Sequence, residues 1–293
     1  MSKRDALRQL VADPETTLVP GVTDPLTARL AAACGAQVLF STGSGISNKW
    51  LGLPDLGLAT MTEMVESNRR IAEGTRLPLI ADADTGYGGP LNVVRTVREL
   101  ESAGVAGIVL EDQTTPKRCG RFAGKQVVPP GEMVRKIRAA VSARGDDTLV
   151  LVARTDALAV EGLESAVDRA RAYLAAGADV IFVEAGSAAD QLAAIPAAVG
   201  APCMINVVER EQGFALTRER LQDYGYGFAL HANLALHVAA RSVRDAFTVL
   251  LQTGSTATLR QKMLRWEERQ ELAGLGEWER LEWLAEGGRD EGN

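Results

Sequence analysis

The sequence predicts a closed parallel (β/α)8 barrel. Eight short apolar or β-branched runs recur along the 293 residues, separated by helix-like stretches rich in Ala, Leu, Arg and Glu. The runs are apolar on both faces, the signature of parallel strands covered by helices. Eight such units within about 250 residues match a barrel closed on itself. A doubly wound open sheet competes, but it carries a Gly-rich phosphate loop after its first strand, and PGVTDP (20–25) is not one.

The elements follow in order. TLVPGV (17–22) is the first strand, and Asp24-Pro25 then supplies an N-cap with proline at the first helical position. QVLFST (37–42) is the second. After it, SNKWLGLPDLG (47–57) is long for a strand-to-helix loop and holds Asp55, and Thr60 with Glu63 forms a capping box. PLIADAD (78–84) runs into DTGYGG (84–89), whose glycines permit a tight turn near a ligand, and a helix starts near Pro90. SAGVAG (102–107) stops that helix before GIVLED (107–112). LVLVARTD (149–156), VIFVEA (180–185), PCMINVV (202–208) and GFALHA (227–232) complete the set. Residues 257–285, with three tryptophans among charges, read as a helical extension of one domain, 1–293, packed on the barrel or on a neighbouring subunit.

Composition narrows the function. A net charge of -6 argues against nucleic acid as partner, and no apolar run approaches the ~18 residues of a membrane span. Residues 1–17 lack a signal-like stretch, and three scattered cysteines make no disulfide framework, so the expected home is the reducing cytoplasm.

In such barrels chemistry sits at the C-terminal ends of the strands. Those ends carry Ser41, Thr42 and Gly43, then Asp82 and Asp84, Glu111 and Asp112, Arg154 and Asp156, Glu184, Asn206 and His231. Helix N-capping accounts for single polar tips. It does not account for Asp82, which alternation places on the same inward face as Asp84. Carboxylates aimed at one mouth need a proton, an arginine or a divalent cation. With two histidines and no Cys/His cluster, zinc is disfavoured and an all-oxygen set suits Mg²⁺ or Mn²⁺. Arg154 and Asn206 then face a ligand carboxylate.

TTPKRCGRFAGK (114–125) leaves the fourth strand as a long lid-like loop. It sets Cys119 among Lys117, Arg118 and Arg121, cations that favour a thiolate and so suit acid–base work. An incidental surface thiol is the alternative. Cys34 and Cys203 read as ordinary buried cysteines. Lys117 in a mobile basic loop is a poor Schiff-base lysine.

STGSG, LGLPDLG, DADTGYG, LEDQ, PKRCG, ARTDA, VEA and NVVE occur in the order found in the isocitrate lyase/phosphoenolpyruvate mutase superfamily, which the chain resembles over roughly residues 18–250. The branches concerned are 2-methylisocitrate lyase, dimethylmalate lyase and carboxyphosphonoenolpyruvate phosphonomutase. The resemblance implies a barrel whose last helix is exchanged between subunits in a dimer of dimers. It implies Mg²⁺ bound most directly by Asp84, with Asp82, Asp55 and Glu111 acting through waters. Thr42, Gly43 and Ser44 would hold the substrate carboxylate, and Gly120, Arg154, Glu184 and Asn206 would complete the site. Lys117 joins the catalytic set, and Cys119 would protonate the departing enolate of a 2-hydroxy di- or tricarboxylate. A phosphonomutase is the alternative. Oxaloacetate cleavage ranks lower, because that branch commonly lacks the loop cysteine. Three positions depart from the methylisocitrate lyase pattern. Arg121 replaces the usual His, while His237 and Trp266 stand where those lyases carry arginines. These changes point to a smaller or less charged substrate, or one bound in another way.

Overall fold

The computed structural model describes residues 1–120, 122, 124–185, 189–208 and 216–288. Arg121, one of the three departures, lies outside the described residues, as does Glu209 of NVVE. Two compact units divide the chain, Met1–Leu236 and His237–Asn293.

The first unit is the barrel. Its strands are β1 (Thr17–Val22), β2 (Leu39–Ser41), β3 (Leu79–Asp82), β4 (Gly107–Glu111), β5 (Val150–Thr155), β6 (Val180–Val183), β7 (Cys203–Asn206) and β8 (Phe228–His231). Each pairs in parallel with its successor, and β1 pairs with β8, so the sheet closes. All eight lie within the runs read from sequence. Outward strand residues such as Leu39, Leu79, Ile108 and Leu151 pack beneath the helices, while Val19, Phe40, Ile80, Val152, Phe182 and Phe228 fill the barrel interior.

Local signals behave as their chemistry requires. Asp24 Oδ1 accepts the Thr27 amide at 2.8 Å to start the helix Pro25–Ala33, and Thr60 with Glu63 closes the capping box of Met61–Glu73. A helix not among the elements read from sequence, Lys3–Ala12, starts at a Ser2–Asp5 capping box. Its Leu7 is fully buried among the interior side chains, and Arg8 pairs with Asp179 at 2.6 Å. That helix seals the end of the barrel opposite the strand tips. Residues 47–51, expected as loop, form a π-helical turn.

The second unit holds most of the helix Leu234–Thr253, a 3-10 turn Ala257–Lys262 and the helices Trp266–Ala273 and Leu275–Ala285. His237 and Trp266 both lie in this unit.

Candidate active site

Strand alternation sorts the polar tips. Thr42, Ser44, Asp82, Glu111, Arg154, Glu184 and Asn206 line one cavity at the barrel mouth, joined by Asp55, Lys117, Cys119 and Gly120 from the loops. Phe40, Phe182 and Leu230 form its apolar floor. Three expected tips turn away. The Ser41 hydroxyl donates to Asn68 at 2.5 Å, and Asp112 faces Thr155, Tyr173 and Arg169 behind the sheet. His231 lines a groove on the barrel's outer side. Each sits one residue from an inward neighbour (Phe40, Glu111, Leu230), and a period of two sends it to the other face.

The carboxylates gather around an ammonium. Lys117 Nζ lies 2.5 Å from Asp55 Oδ1 and 2.9 Å from Asp84 Oδ1, with all three side chains buried. The sequence reading set Lys117 beside the thiol; the structure commits it to these acids. Asp84, Asp82, Glu111 and Asp55 hold the ammonium charged against the cost of its burial. Burial, outweighing Lys117 and reinforced by Asp82, pushes the Asp84 carboxyl up to about 7. Burial likewise pushes Glu111 well above the usual carboxylate range, although Arg154 opposes it. Buried Glu111 Oε1 and Asn206 Oδ1 accept no hydrogen bond among the described residues. Nor is any group of three or more Asp, Glu, His or Cys there arranged to grip an ion directly.

Backbone geometry supports the crowding. Asp84 adopts φ 48°, a left-handed conformation uncommon outside glycine, and its amide donates to Asp82 Oδ1 at 3.2 Å. The Gly43 amide donates to Asp82 Oδ2 at 3.1 Å, and a Cβ there would meet the same oxygen at 2.7 Å. Thr42 and Ser44 hydroxyls both donate to Asn233 Oδ1, at 3.2 and 3.1 Å.

Arg154 anchors the other side. Its guanidinium lies over the Phe182 ring at 5.1 Å, 3.4 Å from Glu111 Oε2 and 3.5 Å from Glu184 Oε2. It donates to Asp156 from Nε at 2.9 Å. Asp156 is fully buried, and Arg154 and Lys125 hold it below the usual carboxylate range despite that burial. The Cys119 loop is folded over the mouth, with the Cys119 amide donating to the Asp55 carbonyl at 3.2 Å. Gly120 sits so close to Arg154 that a Cβ would meet its NH2 at 2.8 Å. A cavity of only about 50 Å³ remains beneath. Cys203 is buried as expected, whereas Cys34, at the exposed end of its helix, is not.

Phe40, Phe182 and Asn233 were not singled out by sequence, and Asp156 was read as a strand tip without its partner Lys125. The aromatics lie in apolar strand runs and read as core, and Lys125 counted only as one of the cations around Cys119.

Residues 7–251 match the family described as phosphoenolpyruvate phosphomutase. The chain is 38% identical over 275 residues to 2,3-dimethylmalate lyase of Eubacterium barkeri, covering 94% of this chain and 95% of that one. It is 44% identical over 252 residues to a probable 2-methylisocitrate lyase of Corynebacterium glutamicum, covering 86% and 82%. Among solved structures, oxaloacetate acetylhydrolase with 3,3-difluorooxalacetate superposes with TM-score 0.92 at 36% identity, covering 98% of both chains. Phosphonopyruvate hydrolase, solved with oxalate and Mg²⁺, gives 0.88 at 30% identity, covering 96% and 98%.

Proposed function

The chain belongs to the phosphoenolpyruvate phosphomutase family of the isocitrate lyase superfamily of enzymes, and on that premise we propose that it is a Mg²⁺-dependent carbon–carbon lyase acting on a 2-hydroxy di- or tricarboxylate. One observation carries the reading: a loop thiol, Cys119, lines the same cavity as the Asp55, Asp82 and Glu111 carboxylates and the Arg154–Glu184 pair, with Asp84 joined to it through Lys117.

The donors fit a hard cation. They are all oxygen, Glu111 Oε1 is buried with no hydrogen-bond partner among the described residues, and a lysine ammonium already draws Asp55 and Asp84 together. Asp84 would bind Mg²⁺ (or Mn²⁺) most directly, with Asp82, Asp55 and Glu111 acting through waters. When bound, the ion stabilises negative charge developing on substrate oxygens. Thr42, Gly43 and Ser44 hold one carboxylate, with Asn233 fixing both hydroxyls. Arg154, Asn206 and Glu184 orient the rest, and Lys117 helps balance charge at the mouth. As a carboxylate at the mouth takes the hydroxyl proton, the carbon–carbon bond next to the hydroxyl carbon breaks to give a keto acid and an enolate. Cys119 delivers a proton to that enolate, and Gly120 lets the loop descend onto Arg154.

Cytoplasmic placement is part of this proposal, as is a single catalytic domain with 257–285 as its extension. So is a dimer of dimers with exchanged helices. A groove of about 420 Å³, lined by Leu18, Pro20, Ala31 and Leu234, opens on the barrel's side. The helix Leu234–Thr253 exposes Val243, Phe247, Leu250 and Leu251, a stripe at helical spacing that a second copy would cover. No described helix is long and apolar enough to cross a membrane.

A second reading, cleavage of oxaloacetate, is favoured by the 0.92 superposition on oxaloacetate acetylhydrolase. A phosphonomutase is the third. Incubation with Mg²⁺ and a panel of 2-hydroxy diacids, 2-hydroxy triacids, oxaloacetate and phosphonates, read by product mass, separates them. Keto acid released from a hydroxy acid supports the lyase; turnover confined to oxaloacetate or a phosphonate refutes it.

A further inference from the structure

The Cys119 loop carries a second buried cation that the proposed chemistry leaves unused. Phe122, Gly124 and Gln126 are exposed, yet the Lys125 side chain between them is only 6% exposed. Burying an ammonium is costly unless its donors are met, and here two of the three are. Lys125 Nζ donates to the Gly120 carbonyl at 2.8 Å and to Asp156 Oδ1 at 2.7 Å.

Both partners matter. Gly120 follows the acid Cys119 directly. Asp156 also accepts both Nε and NH2 of Arg154, at 2.9 and 3.1 Å. Asp156 is itself held from behind: its amide donates to Asp112 Oδ1 at 3.0 Å, and Asp112 Oδ2 accepts from Thr155 at 2.7 Å and Tyr173 at 2.8 Å. One ammonium therefore joins the loop side of the site to a hydrogen-bonded support that also holds the substrate-facing arginine.

We propose that Lys125 is the latch of the catalytic loop, a positioning residue that ties Gly120 to Asp156 and so sets Cys119 and Arg154 over one substrate. The loop's other buried cation, Lys117, pairs with Asp55 and Asp84, acids assigned above to the metal, so loading the metal draws on its partners. Asp156 lies on the Arg154 side and stays with Lys125. The latch is thus the tether that persists in the loaded enzyme. This inference rests on Cys119 being the acid, and the labelling arm of its test needs no knowledge of the substrate.

The test uses the full chain with Mg²⁺ and with oxalate as a small dicarboxylate probe, comparing the parent with Lys125→Met, Lys125→Gln and Lys125→Arg. Iodoacetamide labelling of Cys119 is followed by peptide mass, and thermal melting confirms that each variant is folded. Loss of a charge-assisted tether is expected to speed labelling by about 10- to 100-fold in Lys125→Met and Lys125→Gln. Lys125→Arg, which keeps charge and donors, should stay within a few-fold of the parent. On the substrate found by the panel, the two neutral variants should lose kcat more than they raise KM. Loss of a nearby cation alone would disfavour the thiolate and slow labelling, the opposite sign. Parent-like labelling in a folded neutral variant overturns the latch, as does Lys125→Arg labelling as fast as Lys125→Met.

Discussion

Lys117→Met removes the ammonium at the centre of the mouth and leaves Asp55 and Asp84 facing each other in a buried site. At an effective dielectric of ~20, a unit pair 2.9 Å apart attracts by about 6 kcal/mol. Desolvation offsets part of this, and stripping one partner from a buried pair costs about 3–5 kcal/mol. For a domain of this size that is a fall in Tm of about 10 °C. The loss should depend on metal, since a divalent cation can neutralise the same carboxylates. It should also depend on pH. Asp84 already titrates near 7 because of its burial, and losing Lys117 raises it further. Below that value the folded variant binds more protons than the unfolded chain, so its stability rises as pH falls. Thermal melts with chelator should therefore show a deficit that shrinks from pH 8 to pH 6, and saturating Mg²⁺ should shrink it as well. An equal deficit in all three conditions, or none at pH 8 with chelator, refutes the account of Lys117 as internal counter-cation.

Three further outcomes are expected. Asp84→Ala should abolish both the heat of Mg²⁺ binding in calorimetry and metal-dependent turnover while the far-UV spectrum stays intact; parent-like Mg²⁺ binding would remove Asp84 from the metal set. Cys119→Ser should bind substrate analogue normally but lose ~10²–10⁴-fold in kcat, the worth of a general acid, whereas a deficit of only a few-fold would make Cys119 an incidental thiol. Limited proteolysis should cut first within 114–128, with substrate analogue plus Mg²⁺ giving protection, and equal cutting rates would argue against a lid.

Much of the architecture was legible because burial on both faces and helix punctuation are local signals. Each of the eight strands lies within its sequence run, and Asp82 was placed inward from a period of two alone. The same rule, applied to whole strand tips, overreached. Ser41, Asp112 and His231 are neighbours of inward residues, and a polar residue at a tip does not announce its face. Other features depend on contacts distant in sequence. Leu7 is recognisable as a plug only once the barrel surrounds it. Lys125 becomes more than a surface charge only when the loop folds back onto Asp156, thirty-one residues on. Lys117 was read as a neighbour of the thiol because they are close in the chain, but Asp55 and Asp84 capture it in space. Cys34 was expected inside from the habits of cysteine, yet its helix ends at the surface.

The most direct test of the central claim is cleavage of a 2-hydroxy diacid in D₂O with Mg²⁺, with both products weighed. If the carbon–carbon bond breaks to an enolate that Cys119 protonates, the carboxylic acid fragment gains a single carbon-bound deuterium alongside an equal amount of keto acid, and Cys119→Ser forms both slowly. No cleavage of any hydroxy acid, or a carboxylic acid fragment free of carbon-bound deuterium, would contradict the account.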